Sequence, residues 1–194
     1  MTDLVSKYDR LSKGFAEASY ANLSFDMRRR FTIAMNWGRP LSRGDSLCEI
    51  GCGDGFLAQF FVRSGLRYCG LDISPKMVEA AALRLQELGL NGTFMAGDIA
   101  HVPLGESYDA VVSYMHDFFS YVRDPLTVFR RLRPFVRKKI IVDLNPRNNI
   151  SLKEGMAMLS AAGFRHVAWR PFFVPKEKRL PVWLLQAQIG RAHV

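Results

Sequence analysis

Cysteine is scarce in this chain, with three residues among 194: Cys48, Cys52 and Cys69. An odd number in buried-looking places argues against a disulfide framework and for reduced thiols, so a cytoplasmic setting is expected. Cys48-x3-Cys52 has no second Cys or His pair nearby at ligand spacing, and no metal site is expected. Long apolar runs are also missing. None reaches the roughly 18–20 residues that a membrane-spanning helix requires. Met1–Arg10 mixes charges with single apolar residues and lacks the apolar core of a secretory signal. No internal repeat or low-complexity segment interrupts the chain, and one domain over residues 1–194 is expected. Acidic residues are few beside basic ones, 18 against 27, which leaves a net charge of +9. That excess suits nucleic acid, an anionic membrane surface, an acidic substrate, or solubility alone. It is clustered at Arg28-Arg29-Arg30, at Arg123, Arg130, Arg131, Arg133, Arg137, Lys138 and Lys139, and at Arg165, Arg170, Lys176, Lys178 and Arg179. Solvated helix faces account for these clusters as readily as a partner does.

What is present is an ordinary globular composition, 48% hydrophobic and 23% charged, at a length that buries a substantial core. Residues 3–36 read as helical, because Leu4, Tyr8, Leu11 and Phe15 recur at steps of three and four. Gly14 splits this stretch. A further helix through Phe25–Phe31 ends near Trp37-Gly38, and Arg39-Pro40 breaks it. Residues 1–40 thus form an N-terminal helical segment ahead of a core at 41–194. In that core strands and helices alternate. Strands are expected at Ser46–Ile50, Tyr68–Leu71, Asn91–Ala96, Asp109–Ser113 and Lys139–Asp143. Helices are expected at Phe56–Ser64, from Ser74-Pro75 to Leu88, at Pro125–Val136 and at Leu152–Ala162. Ser74 can cap its helix, and Pro75 suits the first helical position. His166–Val174 and Val182–Ile189 leave no room for a helix between them and should pair antiparallel. The fold class is therefore α/β: a seven-stranded, mostly parallel sheet with helices on both faces, its last strand antiparallel, and an N-terminal helical lid.

The segment Leu47–Ala58 is the most informative. It reads as a buried strand, a turn with glycines at 51, 53 and 55, and a helix start. Glycines let the backbone turn sharply and approach a ligand, and the helix points free N–H groups at the same spot. A dinucleotide fingerprint needs its third glycine at position 56, where this chain has Phe56. Glu49 and Asp54 are poor neighbours for a pyrophosphate and suit a ligand with a cationic amino group and a sulfonium.

At these residues the chain resembles the class I S-adenosylmethionine-dependent methyltransferases. Glu49-Ile50-Gly51-Cys52-Gly53-Asp54-Gly55 matches their first motif. Gly70-Leu71-Asp72-Ile73-Ser74 matches the second, Ala96-Gly97-Asp98-Ile99 the third, and Asp109-Ala110-Val111-Val112-Ser113 the fourth strand. The resemblance spans roughly residues 45–145. It implies that Gly51, Cys52 and Gly53 hold the methionine part by backbone, with Glu49 or Asp54 near its amino group. Asp72 would accept from both ribose hydroxyls, a task for which a carboxylate's two oxygens are suited. Ile73 and Met77 would pack on the adenine, Asp98 would accept from the adenine amino group, and the Ile99 amide would donate to the ring. Ser113, Tyr114 or Met115 would border the sulfonium. Helix-dipole stabilisation is the structural alternative for Asp72, and a turn role for Asp98.

Chemistry belongs in the loop after the fourth strand, Tyr114-Met115-His116-Asp117-Phe118-Phe119. His116 is the candidate base, since its ordinary pKa lies near neutrality, with a structural histidine as the alternative. Tyr8, Phe15 and Tyr20 are candidates for the lid, although core packing is the favoured reading for Phe15. Asn145-Pro146 follows the fifth strand, not the fourth, and so departs from the motif of amino-methylating nucleic-acid enzymes. Asp117, Asp143 and Asn145 depart from the adjacent Asp-Asn of metal-dependent O-methyltransferases, because Leu144 intervenes. Methyl transfer to a small-molecule acceptor is expected, with nucleic acid unlikely as partner. Phospholipid or membrane-surface N-methylation is the alternative drawn from Phe172-Phe173-Val174 and Trp183 beside Lys176, Lys178 and Arg179. RNA methylation rests on charge alone, and a non-catalytic S-adenosylmethionine-binding module is the remaining alternative.

Overall fold

The computed structural model describes residues 2–19, 23–114, 118–145, 150–172 and 182–189. Three helices come first: α1 (Thr2–Leu11), α2 (Phe15–Ser19) and α3 (Leu23–Asn36). Then β1 (Ser46–Ile50), α4 (Ala58–Arg63), β2 (Arg67–Asp72), α5 (Pro75–Glu87), β3 (Thr93–Ala96) and β4 (Tyr108–Ser113) follow. The chain continues through α6 (Phe118–Tyr121), α7 (Pro125–Leu132), β5 (Val136–Leu144), α8 (Leu152–Ala161), β6 (Arg165–Phe172) and β7 (Val182–Gln188). One seven-stranded sheet results, in the order β3-β2-β1-β4-β5-β7-β6. β1 to β5 run parallel, and β7 is antiparallel to both neighbours, β5 and β6.

Two apolar layers follow from the two-residue period of the strands. Leu47, Ala110, Val112, Ile141 and Leu184 point to one face, against Met27, Ile33 and Ala34 of α3 and Phe61 of α4. Cys48, Ile50, Val111, Ile140 and Val142 point to the other, against Phe118, Phe129, Leu132 and Leu159 of α6, α7 and α8. Being covered on both faces is why these strands read as nearly continuous apolar runs. Helix starts are fixed locally. Ser74 accepts from the Met77 N–H ahead of Pro75, Asp124 accepts from Thr127 N–H ahead of Pro125, and Ser151 and Glu154 form a reciprocal capping box.

The structure departs from expectation between residues 125 and 144. Helix α7 stops at Leu132, a short 3-10 turn covers Arg133–Phe135, and β5 already begins at Val136. Val136, Arg137 and Lys138 therefore join Lys139, already expected in the strand. Lys139 is fully buried, and its ammonium donates to the Trp37 carbonyl at 2.9 Å and the Met35 carbonyl at 3.4 Å. The Met35 carbonyl also accepts from the Leu41 N–H at 2.8 Å, so the buried cation joins a backbone bond in closing the end of α3. Burial pushes its pKa down to about 8. Four more residues of the cluster are engaged by the fold. Arg131 donates to the Ile99 and Val102 carbonyls, and Arg133 to the Gly163 carbonyl at 3.0 Å. Arg137 reaches Ser46 Oγ at 2.7 Å and Asp109 at 3.1 Å, and Lys138 reaches Asp45 at 2.6 Å. Much of the basic excess thus fastens loops to the sheet. No helix among the described residues is long and apolar enough to cross a membrane.

Candidate cofactor site

The C-terminal ends of β1, β2, β3 and β4 lie along one edge of the sheet, and each carries a residue singled out from the sequence. After β1, Gly51, Gly53 and Gly55 take φ values of +73°, +55° and +73°, a left-handed conformation that side chains resist. The turn is pinned to β2: Gly51 N–H and Cys52 N–H donate to the Leu71 carbonyl at 2.7 and 3.1 Å. Gly53 N–H donates to Asp72 Oδ2 at 2.9 Å, and Ser74 N–H to Asp72 Oδ1 at 3.0 Å. Asp72 therefore ties the turn to the start of α5. Burial raises its pKa, while the backbone N–H groups of Ser74, Gly53 and Ile73 hold it down. Each oxygen has spent one lone pair, so the carboxylate keeps acceptor capacity for a ligand.

A cleft of ≈ 930 Å³ of empty space, counted out to its mouth, opens beside this carboxylate. Gly51, Gly53, Asp72, Ile73 and Met77 line one side, and Gly97, Asp98 and Ile99 extend it toward β3. Leu4, Tyr8 and Phe15 from α1 and α2 form the roof, and Tyr114, Tyr121 and Val122 complete the wall. The Tyr8 hydroxyl donates to the Tyr121 hydroxyl at 3.0 Å across the cleft. The N-terminal helices thus lie over the site, with Phe15 as part of its surface and not of a remote core.

A smaller hollow adjoins the cleft and shares Phe15, Gly51, Gly53 and Tyr114 with it. Glu49, Cys52, Asp54 and Arg30 line this hollow. Glu49 is buried and accepts from the Tyr68 hydroxyl at 2.7 Å. Burial pushes its pKa up to about 8, against the Tyr68 bond and the Arg30 charge. Arg30 donates to the Tyr114 carbonyl at 2.8 Å, and the Tyr114 hydroxyl donates back to the Arg30 carbonyl at 3.1 Å. This reciprocal pair locks α3 to the end of β4.

Of the sequence-predicted residues, Gly51, Gly53, Asp72, Ile73, Met77, Asp98 and Ile99 meet in the main cleft. Glu49 and Cys52 meet in the adjoining hollow. Ser113 lines neither space. Its hydroxyl is fully buried and has no hydrogen-bond partner among the described residues, and Tyr114 takes the wall position instead. Asp54 is not turned to the cleft alone: its Oδ2 accepts from Ala16 N–H at 2.9 Å and Arg84 at 3.0 Å. His116, with Met115, Asp117, Tyr20 and Pro146, lies outside the described residues. Sequence reasoning missed Arg30, Arg84, Tyr121 and Val122. Arg30 carried a signal, because it sits in the stripe Asp26, Met27, Arg30, Ile33 and Ala34 that α3 buries. Among the described residues, no group of three His, Cys, Asp or Glu side chains is placed to hold a metal ion.

Residues 47–139 match a family described as a methyltransferase domain. Over 77 residues the chain is 42% identical to an uncharacterized methyltransferase of Schizosaccharomyces pombe, covering 38% of this chain and 28% of that protein. Over 95 residues it is 30% identical to a ubiquinone biosynthesis O-methyltransferase of Vibrio cholerae, covering 48% of this chain and 38% of that protein. The match thus spans well under half the length of these relatives. The solved structure of the (4+2)-cyclase SpnF superposes with a TM-score of 0.78 at 16% identity, covering 97% of this chain and 96% of that one, a likeness of fold alone. Residues 47–139 thus resemble the S-adenosylmethionine-dependent methyltransferases, a class whose cofactor is S-adenosylmethionine.

The site's own geometry fits that cofactor. A cradle of positive-φ glycines lies against an oriented carboxylate at the end of β2, as a ribose diol requires. A Cβ built at Gly53 would stand 3.5 Å from Phe15 Cδ1, inside the space between turn and roof. The acids in the adjoining hollow, Glu49 and Asp54, suit a cationic amino group and not a pyrophosphate.

Proposed function

We propose that this protein transfers the methyl group of S-adenosylmethionine to a small-molecule acceptor. When bound, the cofactor supplies an electrophilic methyl carbon on a sulfonium. An acceptor held in the cleft would take that carbon in line as its bond to sulfur broke, the electron pair staying on sulfur and the acceptor's proton passing to a base. Asp72 would hold the ribose hydroxyls, Asp98 and Ile99 the adenine edge, and Ile73 and Met77 its face. The turn at Gly51–Gly53 would hold the amino-acid end, with Glu49 beside its ammonium and Arg30 within reach of its carboxylate. Tyr114 would border the sulfonium. The roof of Leu4, Tyr8 and Phe15 keeps water from the reacting atoms and limits the poses open to an acceptor.

The observation that carries the small-molecule reading is the chemistry of the cleft wall. Its charged lining residues are Asp72 and Asp98, both assigned to the cofactor, and the rest of the wall is apolar and aromatic. No Lys or Arg is among the described lining residues of the main cleft, as a phosphate-rich acceptor would need. Arg131, Arg133, Arg137, Lys138 and Lys139 are engaged with carbonyls and carboxylates, which weakens the argument from net charge for RNA. The membrane-surface alternative fell largely on residues 173–181, outside the described set. The Vibrio cholerae relative is named for O-methylation in ubiquinone biosynthesis, so phenolic acceptors head the panel to be tried. Three buried free cysteines suit a reducing compartment such as the cytoplasm. His116 is proposed as the base, on its place in the loop after β4.

The test is transfer of labelled methyl from S-adenosylmethionine to panels of phenols, amines and carbon acids, with S-adenosylhomocysteine formation followed in parallel. Acceptor-dependent turnover supports the proposal. Tight cofactor binding with no transfer to any acceptor or to a metabolite extract would favour a binding module. Transfer to RNA and not to small molecules would overturn the acceptor class.

A further inference from the structure

Asp54, between the second and third glycines of the turn, is committed to the N-terminal helices. Its carboxylate is 3% exposed. Oδ2 accepts at once from Ala16 N–H of α2 and from the Arg84 guanidinium of α5, at 2.9 and 3.0 Å. Arg84 holds the other end of the same residue through Nε to the Asp54 carbonyl at 2.9 Å. It also reaches across to Glu17 of α2 at 3.0 and 3.2 Å, and its guanidinium covers the Phe56 ring at 5.1 Å. The arrangement has two halves. Asp54, Arg84 and Phe56 belong to the turn and α5, and stay together through backbone and side-chain bonds. Ala16 N–H and Glu17 belong to the roof.

The segment so pinned is the one that closes the cleft. Phe15, next to Ala16, faces Gly53 across the space that the cofactor's amino-acid end would occupy. A second attachment sits at the ribose end. Ser74 Oγ donates to Asp9 Oδ1 of α1 at 2.6 Å, and the Ser74 N–H is one of the two that orient Asp72. These two fastenings join the roof to elements that hold the cofactor, beside the Tyr8–Tyr121 bond, and Tyr8 of α1 and Phe15 of α2 stand over the cleft between them. Parting Ala16 from Asp54 and Asp9 from Ser74 would free the roof from the turn and from the start of α5.

We propose that Asp54 and Arg84 are positioning residues that latch the N-terminal helices over the cofactor, and that parting this latch gates cofactor exchange. The inference rests on the cleft being the S-adenosylmethionine site. Arg84 keeps the carboxylate aimed at α2 whether the roof is on or off, so reclosure finds its acceptor already in place. Glu17 sits on the solvent side of the guanidinium, with a half-exposed side chain, and contributes little by itself.

The test is release of labelled S-adenosylhomocysteine from the full chain after dilution into excess unlabelled ligand, with affinity by calorimetry and amide hydrogen exchange at residues 15–19. In Asp54→Ala and in Arg84→Met, release is expected to quicken by about tenfold, the loss of one buried charge-assisted bond. Exchange at Ala16 should quicken with it while the amides of β1 and β2 stay protected. Asp54→Asn, whose amide oxygen still accepts from Ala16, should restore slow release to within about threefold of wild type, and Glu17→Gln should leave it unchanged. Arg84→Met serves if Asp54→Ala does not fold, because its stem still packs on Phe56. Folded variants that bind the ligand and release it at the wild-type rate overturn the latch. Faster release with unchanged exchange at Ala16 overturns it too, since the turn alone would then be at fault. A wild-type chain that binds no S-adenosylhomocysteine overturns the cofactor assignment, and the gate falls with it.

Discussion

Replacing Gly53 and Gly55 one at a time by alanine separates what the turn does for the fold from what it does for the ligand. Both residues have left-handed backbone, φ +55° and +73°, so alanine costs about 1–2 kcal/mol at either position. Their surroundings differ. A Cβ at Gly55 would stand 2.8 Å from Ala81 Cβ and 2.9 Å from its Cα, inside the packing of α5 on the turn. Backbone must shift to admit it, which adds about 1–3 kcal/mol. A Cβ at Gly53 meets only the Phe15 ring, at 3.5 and 3.7 Å, an ordinary contact. Gly55→Ala should therefore lose about 2–5 kcal/mol of stability and Gly53→Ala about 1–2 kcal/mol. Binding should rank the other way for equal stability lost: the Gly53 methyl enters the space between turn and roof and should weaken S-adenosylhomocysteine by at least about tenfold, a cost of about 1.4 kcal/mol. Urea midpoints with a common slope give the first quantity and calorimetry on the folded variants the second. Equal midpoints for the two variants, or wild-type affinity in Gly53→Ala, would refute the division of labour.

Removing the Asp72 carboxylate deletes two charge-assisted acceptors, and Asp72→Ala is expected to weaken S-adenosylmethionine by at least about tenfold by calorimetry; unchanged affinity in a folded variant would sink the ribose assignment. Glu49 makes binding proton-linked. Its pKa stands at about 8 against an ordinary 4.5, so from pH 4.5 to 8 the folded chain holds a proton that the unfolded chain has lost, and stability falls as pH rises through that window. A cationic amino group beside Glu49 favours the charged form, so cofactor binding near pH 7 should release a proton and tighten toward pH 8, by up to about tenfold per unit. Calorimetry in two buffers of different ionisation enthalpy measures the release, and Glu49→Gln should abolish it; equal release in that variant would contradict the assignment. His116→Ala should leave cofactor affinity intact and lower turnover by about a hundredfold or more, with loss of the acidic limb of the pH–rate profile. Unaffected turnover would leave alignment within the cleft as the source of catalysis.

The parallel core was readable because its strands are covered on both faces. Ala110-Val111-Val112 and Ile140-Ile141-Val142 present unbroken apolar stretches between polar residues, and that pattern has few other solutions. The cleft was readable where the chemistry is local in sequence, as at the glycine turn, Asp72, and Gly97-Asp98. What was hidden depends on pairs far apart in the chain. Lys139 reads as surface until the carbonyls of Met35 and Trp37 are brought to it. Arg30 reads as one of three surface arginines until α3 turns it toward Tyr114. Ser113 and Tyr114 are neighbours in sequence, and only the geometry at the end of β4 decides which of them reaches the cleft. Asp54 matches the motif, yet its partners Ala16 and Arg84 lie 38 and 30 residues away. No local pattern reports such partners, because a hydrogen bond needs three-dimensional proximity and leaves no period in the sequence.

The cap that Lys139 places on α3 also orders events in time. The two partners are 102 and 104 residues apart, and Arg30 waits for Tyr114 across 84 residues. On a ribosome adding about 5–20 residues each second, the first three helices emerge many seconds before the strand that receives them. During that interval Met27, Ile33 and Ala34 have Leu47, Phe61, Ala110 and Val112 of their apolar layer as these are made, but not Ile141 of β5. A ribosome stalled before residue 139 would therefore hold α3 with its layer incomplete and without its buried cation.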